Sequence, residues 1–409
     1  MTEEASLLKP LAGIRVCDFF WLIAGPATSR IMADFGAEVI KIESEEREDQ
    51  IRNAGVWPPN RTQSSPNAVF VDCNTNKLSL TLNLNQPKAI EIARQLVAIS
   101  DVVTNNFTGE RMDRWGLGYR DLVQVKPDIV MLSMPVMGTT GPYRSYGANG
   151  LGVVSYGGIN TTMGFPGRPP SGMGPLYSDF TTPYFALMAI MAALRHRDRT
   201  GEGQFIDLSQ AQATVALLGT SILEYTANGR VPERPGNRSR DYCPHGAYPC
   251  WGEDRWCAIA VGSDAEWRAL CDAIGRPELA TDPRFATHEA RKASEDEVDA
   301  ILAGWTRGRD AWQVMHYLQD RGVMASVVED LEDVVVRDPH MRALHFETLS
   351  DADGVAQYIA HRQPAKFQGR SPELRRPPVQ GEHNEYVLKE LLGYSDEEYV
   401  QLLIDGVLR

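Results

Sequence analysis

The chain has 409 residues, enough for two apolar cores, and its 43% hydrophobic and 23% charged content is that of a folded protein without extended disorder. A formal net charge of −13 excludes non-specific attraction to nucleic acid or to an anionic membrane, because the summed field repels polyanions. An anionic ligand must then be held by a local set of cations or backbone N–H groups.

In chain order, Met1–Pro10 is acidic and lacks the apolar stretch of a signal segment, so a cytoplasmic location is expected. GIRVCDF (Gly13–Phe19) reads as a strand, Ala27–Phe35 as a helix stopped by Gly36, and AEVIKIE (Ala37–Glu43) as a second strand, which together make a βαβ unit. The alternation continues with strand Leu78–Leu84, helix Pro87–Ile99, strand Asp101–Thr104, helix Tyr119–Val125 and strand Ile129–Ser133. Such alternation predicts an α/β fold with a parallel sheet covered on both faces.

Eleven glycines between Gly138 and Gly174 predict a long irregular loop that lets backbone approach a ligand closely. An apolar helix over Phe180–Arg197 follows, with Ser178 or Asp179 as its N-cap and Pro183 in its opening turn. Its run Tyr184–Leu194 is too short to span a bilayer and reads as buried. A helix is expected over Ala211–Ala227. The polar, Pro/Gly-rich stretch that follows predicts a large domain 1–228, a linker 229–247, a small α/β domain 248–330 and a return linker 331–379. The small domain should hold a strand at Trp256–Val261 and helices at Ala265–Ile274 and Glu295–Arg307, and a last helical segment starts at Asn384.

Several residues could carry chemistry. Asp179 under the glycine-rich loop is either a helix cap or a nucleophilic carboxylate whose oxyanion would be stabilised by neighbouring N–H groups. The turn WLIAGPATSR, with Ala24 and Gly25, could offer helix N–H groups to a phosphate or thioester oxygen, or be a tight turn needed for packing. It has no G-x-G-x-x-G, so a nicotinamide dinucleotide site is unsupported. Lys41, Lys77, Arg111 and Arg114 stand at element ends as candidate phosphate cations. Cysteines 17, 73, 243, 250, 257 and 271 form no C-x-x-C, and the set Cys243, His245, Cys250 and Cys257 fits no standard zinc spacing; buried thiols and no metal are expected.

Seven segments in order carry a resemblance: LAGIRVCDF, AGPATSRIMADFGAEVIKIE, NTNKLSLTLNL, SDVVTNNFTGERMDRWGLGY, the loop ending LYSDF, RHRDRTGEGQFIDLSQ and GEHNEYVLKELLGYS. Together the chain resembles the class III CoA-transferases, the CaiB/BaiF or formyl-CoA-transferase-like group, over nearly its whole length. The resemblance implies a Rossmann-like CoA-binding large domain, completed by segment 380–409, and a smaller α/β domain. It also implies an interlocked homodimer, or a heteromer with a paralogous subunit. It places the catalytic aspartate on Asp179 and CoA contacts on Ala24, Gly25, Lys41, Glu43, Asn74, Lys77, Asn106, Phe107 and Arg114. The implied reaction moves CoA from an acyl-CoA, with succinyl-CoA one candidate, to a carboxylic acid through anhydride and aspartyl thioester intermediates, with no permanently bound cofactor.

Two departures stand out: Ile23 replaces a glutamine that some members carry before AGP, and Leu78 replaces the arginine that often follows the NxNK lysine. Related α-methylacyl-CoA racemases pair the aspartate with a histidine in the segment aligned with YGANGLG, where this chain has Ala148. A one-sided proton relay argues for transfer over racemisation. A non-catalytic subunit of a heteromeric transferase is the other alternative, against which Asp179 argues. Trp21, Trp57, Phe165, Met163 and Met173 are candidates for an apolar acceptor pocket.

Overall fold

The computed structural model describes residues 9–174, 176–369 and 371–409. Six short strands, β1 (Arg15–Phe19), β2 (Glu38–Glu43), β3 (Leu78–Thr81), β4 (Val102–Asn105), β5 (Val130–Ser133) and β6 (Phe205–Asp207), form one parallel sheet in the order β3-β2-β1-β4-β5-β6. This is the doubly wound order, whose direction of winding reverses between β1 and β4; sheets of this kind bind ligands outside the carboxyl ends of their strands at that reversal.

The longer helices of this part are α1 (Ala24–Asp34), α2 (Ala68–Asn74), α3 (Pro87–Ala98), α4 (Tyr119–Val125), α5 (Gly150–Tyr156), α6 (Tyr177–Thr200), α7 (Gln210–Ala216) and α8 (Gly219–Asn228). The period-2 alternation of the strands sorts their side chains. Cys17, Phe19, Ile40, Ile42 and Val103 join one core with α3, while Val16, Val39, Val102 and Val130 join another with α1 and α6. Covering both faces explains why the strands read as continuous apolar runs. Against that background Asp18 and Lys41, register partners in β1 and β2, are conspicuous: both are fully buried charges.

The chain divides into two compact units. One comprises the described residues up to Ile159, with Gly172–Arg230 and Leu344–Arg409; the other comprises Asn160–Ser171 and Val231–Ala343. The second unit has an antiparallel sheet of β7 (His245–Pro249), β8 (Trp256–Ala260) and β9 (Met324–Val328), packed with α9 (Asp264–Ala273), α10 (Glu295–Thr306) and α11 (Ala311–Gln319) around Trp267, Phe285 and Leu302. The stretch 331–379, expected as a linker, contains the hairpin β10 (Phe346–Ser350) and β11 (Gln357–His361). Near its end the first unit adds a π-helical turn at Tyr386–Leu391 and α12 (Asp396–Ile404).

Several boundaries differ from expectation for physical reasons. Helix α1 starts three residues early because Pro26 falls in the first turn, where N–H groups have no helical acceptor. The glycine-rich loop is interrupted by α5, whose first turn is capped by the Asn149 side chain accepting from Gly152 N–H at 3.0 Å. The helix expected over Ala211–Ala227 is broken into α7 and α8. Tyr184 and Met188 of α6, expected in the interior, are exposed. All six cysteines are buried and unpaired, and no group of three His, Cys, Asp or Glu among the described residues is placed to hold a metal. No helix among the described residues is long and apolar enough to cross a membrane.

Candidate active site

A cavity of about 750 Å³ lies within the first unit, along the carboxyl edge of the sheet. The residues immediately after four successive strands line it: Trp21–Ala24 after β1, Ser44 after β2, Leu82–Asn85 after β3, and Asn106–Thr108 after β4. Asp179 of α6 and Gln210 of α7 reach it from the helical layer.

Asp179 does not cap α6. The helix begins at Tyr177 after Leu176, so Ser178 and Asp179 sit inside the first turn. There the carboxylate profits from the helix's unsatisfied N–H groups. Ala24, the first residue of α1, lines the same cavity, so the N-termini of two helices bear on one carboxylate. Burial raises its pKa to about 6, although the backbone N–H groups of Ala24 and of Asp179 itself act to lower it. Its Oδ2 is enclosed and has no hydrogen-bond partner among the described residues. Four residues on, Pro183 has no N–H, so the Asp179 carbonyl lacks its helical donor. Partly desolvated and, among the described residues, unpaired with any cation, this carboxylate has the chemical capacity to act as a nucleophile.

The turn that delivers Ala24 is held from several sides. Asn106 accepts Trp21 N–H at 3.1 Å and donates to Trp21 C=O at 2.7 Å. Asp49 Oδ1 accepts Leu22 N–H at 3.0 Å, and Lys41 Nζ donates to Phe20 C=O at 2.7 Å. Leu22 has φ 65°, the left-handed region that disfavours a residue with a side chain by about 1–2 kcal/mol, so the turn is imposed by these contacts. Gly25 is required for packing, since a Cβ there would overlap the Phe20 ring.

Below the cavity floor lie paired charges. Lys77 Nζ contacts Asp18 Oδ2 at 3.3 Å and donates to Pro26 C=O at 2.9 Å and Asn74 Oδ1 at 3.0 Å. Its burial pushes the ammonium down to about 8, the Asp18 charge notwithstanding. Lys41 pairs with Asp49 at 3.0 Å; burial alone would lower its pKa, but Asp49, Glu43 and Asp18 hold it above the ordinary lysine value. Burial would raise Glu43, and the Arg52 guanidinium instead keeps it below the usual carboxylate range.

The structure thus separates the sequence candidates. Ala24, Glu43, Asn106, Phe107 and Asp179 line the cavity, and Gly25 follows directly on Ala24. Lys41, Asn74 and Lys77 do not: they are enclosed, with Lys41 and Lys77 in ion pairs and Asn74 bonded to Lys77 and to Phe70 C=O. Arg114 is exposed and also outside the lining. The cations that do line it are Arg111, half-buried against the Trp115 ring, and Arg47, which lies over Trp21. Trp21, Phe107 and Trp115 pack edge to face at 5.7 and 5.6 Å and form one apolar wall. Arg47 was missed because it sits in the acidic run SEEREDQ, where a solvated charge is the ordinary reading. Of the five residues expected to form an acceptor pocket only Trp21 lines this cavity; Trp57 lines another, and Met163 and Phe165 belong to the second unit.

Residues 11–384 match CoA-transferase family III. The chain belongs to that family. It is 31% identical over 98% of both chains to the succinyl-CoA–D-citramalate CoA-transferase of Chloroflexus aurantiacus. It is 30% identical to the beta subunit of that organism's succinyl-CoA–L-malate CoA-transferase, covering 95% of this chain and 96% of the relative. In structure it is similar to a CaiB/BaiF family protein from Brucella suis, with a TM-score of 0.86 and 31% identity over 94% of this chain and 99% of the other. This family III CoA-transferase is therefore an enzyme whose relatives act on CoA thioesters and free acids.

Proposed function

We propose that the enzyme transfers CoA from succinyl-CoA to a second carboxylic acid, with Asp179 as the covalent carrier. The observation that carries this is the unpaired Asp179 carboxylate, raised by burial to about 6 and set on the cavity at the sheet's reversal point. A carboxylate oxygen of Asp179 attacks the thioester carbonyl, the C–S bond breaks, and a mixed anhydride and CoA thiolate result. The thiolate then attacks the Asp179 carbonyl of the anhydride, releasing the donor acid with one former Asp179 oxygen and leaving an aspartyl-CoA thioester. The acceptor carboxylate repeats the two steps in reverse order and regenerates Asp179. Each intermediate is itself an anhydride or a thioester, so the activation is never lost and one difficult exchange becomes a series of easier ones.

The first N–H groups of α1 supply oxyanion stabilisation, in place of the side-chain amide that Ile23 does not provide. Arg47 and Arg111 take the place of Lys41, Lys77 and Arg114 as the cations facing the CoA phosphates, while Trp21, Phe107 and Trp115 cover its apolar parts. The relatives' names favour a small dicarboxylic acid as acceptor. Ala148 lines the same cavity and offers no proton, which disfavours α-carbon racemisation. Helix α8 has no buried residue and exposes Ile222, Leu223 and Tyr225, a face suited to a second copy or a paralogous subunit in an interlocked dimer. The enzyme needs no resident cofactor and works in the cytoplasm.

The test is incubation of the purified chain with a panel of acyl-CoA donors and acids, hydroxylamine or borohydride trapping, and peptide mass analysis. Modification of Asp179 is expected; modification elsewhere, or full transfer by Asp179→Ala, overturns the reading. Transfer by the chain expressed alone separates a self-sufficient enzyme from one half of a heteromer, and α-proton exchange in deuterated water without a second acid would point to a racemase.

A further inference from the structure

In the segment Phe20–Pro26, backbone groups of Phe20, Trp21, Leu22 and Pro26 are held by side chains from outside the segment. Asp18 accepts Phe20 N–H at 3.1 Å, Lys41 donates to Phe20 C=O, Asn106 grips both groups of Trp21, Asp49 accepts Leu22 N–H, and Lys77 donates to Pro26 C=O. Asp49 is the least expected of these. It lies in an acidic surface run, yet is buried, and both its oxygens serve the turn: Oδ1 takes Leu22 N–H at 3.0 Å, and Oδ2 takes at 3.0 Å the same Lys41 ammonium that binds Phe20 C=O. Its third contact, Ile51 N–H to Oδ1 at 3.3 Å, caps the short turn Gln50–Arg52.

We infer that Asp49, acting with Lys41, is a positioning residue for the transfer reaction: it locks Leu22 in its left-handed conformation and thereby fixes the start of α1, whose Ala24 lines the cavity with the Asp179 carboxylate. Leu22 occupies a backbone region its side chain disfavours, so without Asp49 the peptide relaxes toward negative φ. Only one residue separates Leu22 from Ala24, so that relaxation moves the first N–H of α1 relative to the Asp179 carboxylate on the same cavity. A buried ion pair adds little net stability compared with apolar packing, which is a further reason to seek the role of this pair in geometry. The inference rests on Asp179 being the reacting carboxylate.

The experiment compares Asp49→Ala, Asp49→Asn, Asp49→Ala with Leu22→Gly, and Asp179→Ala in the full-length enzyme. The readouts are kcat, KM and the pH dependence of acyl transfer to Asp179 followed by trapping at that residue. Trapping there is needed because Glu43, Glu46, Glu48, Arg47 and Arg111 face the same cavity. Asp49→Ala is expected to lower kcat about 100-fold, the effect of a misplaced reacting group, with KM for acyl-CoA little changed. The acidic limb should move to higher pH, because the Ala24 N–H, displaced from its place, is one of the groups that lower the Asp179 pKa. Adding Leu22→Gly should restore part of the lost kcat and return the limb toward its original position, since glycine adopts positive φ freely.

Wild-type kcat and an unmoved limb in Asp49→Ala overturn the inference, as does a loss that glycine at position 22 leaves untouched. Should Asp49→Ala not fold, Asp49→Asn keeps the volume but turns an amide toward Lys41; a smaller shift of the limb in the same direction supports the inference, and an unmoved limb overturns it. Transfer retained by Asp179→Ala overturns the reading of Asp179 itself, whereas an inactive Asp179→Ala beside an unaffected Asp49→Ala overturns only the positioning role.

Discussion

The cavity rim and the layer directly beneath it are both rich in charge, and they use it in opposite ways. Beneath, Asp18 with Lys77 and Lys41 with Asp49 are fully buried and matched in pairs, each member of which also bonds the backbone of one turn. At the rim, Asp179 has no cationic partner among the described residues and an oxygen without a hydrogen bond, and Arg47 and Arg111 lean on aromatic rings. Paired charges build the scaffold; the unpaired ones are those that the proposed transfer uses.

The largest expected effect is at the rim. Asp179→Ala should reduce transfer by at least about 1,000-fold while leaving the circular dichroism intact and not lowering the melting temperature, as judged by a donor-panel assay alongside thermal unfolding. Beneath the rim, Lys77→Met leaves Asp18 as an uncompensated buried charge and should lower the unfolding free energy by about 3–5 kcal/mol, read from urea titration. Were Lys77→Met instead as stable as the parent and deficient only in CoA affinity, the division between layers would collapse. A smaller effect is expected at Arg111→Ala: an approximately tenfold rise in KM for acyl-CoA, equivalent to about one charge-assisted hydrogen bond. Its salt dependence should weaken and its stability stay unaltered.

The smallest and most diagnostic effect concerns pH. Since the reactive form of Asp179 is the carboxylate, acyl transfer to it should rise with pH through about 6 and level off above, in a stopped-flow or quenched assay. The stability has the opposite sign. Between the ordinary aspartate value and about 6 the folded state binds more protons than the unfolded chain, so Asp179 makes stability fall as pH rises across that window. Asp179→Asn should flatten this dependence.

Much of the fold was legible because its signals are local. Strand and helix periods in GIRVCDF, AEVIKIE and the segments after them sufficed to expect a parallel sheet with two covered faces. Asp179 was legible only ambiguously, since a carboxylate near a helix start has the same local pattern whether it caps or reacts. A clue to the buried layer was present in the chain and not used: charged residues inside strands buried on both faces, Asp18 in VCDFF and Lys41 in VIKIE, must find partners.

By itself, then, the sequence determined the alternation of strands and helices, the family resemblance and the position of the candidate carboxylate. Only the tertiary structure decided that Lys41 and Lys77 are girders while Arg47 and Arg111 face the cavity, that α1 and α6 bring their N-termini to one carboxylate, and that Asp49 reaches across to hold Leu22. Periodicity is a short-range property that neighbouring residues encode. Whether a charge is paired, and whether water reaches it, depends on segments distant in the chain whose meeting is settled only when the sheet is assembled.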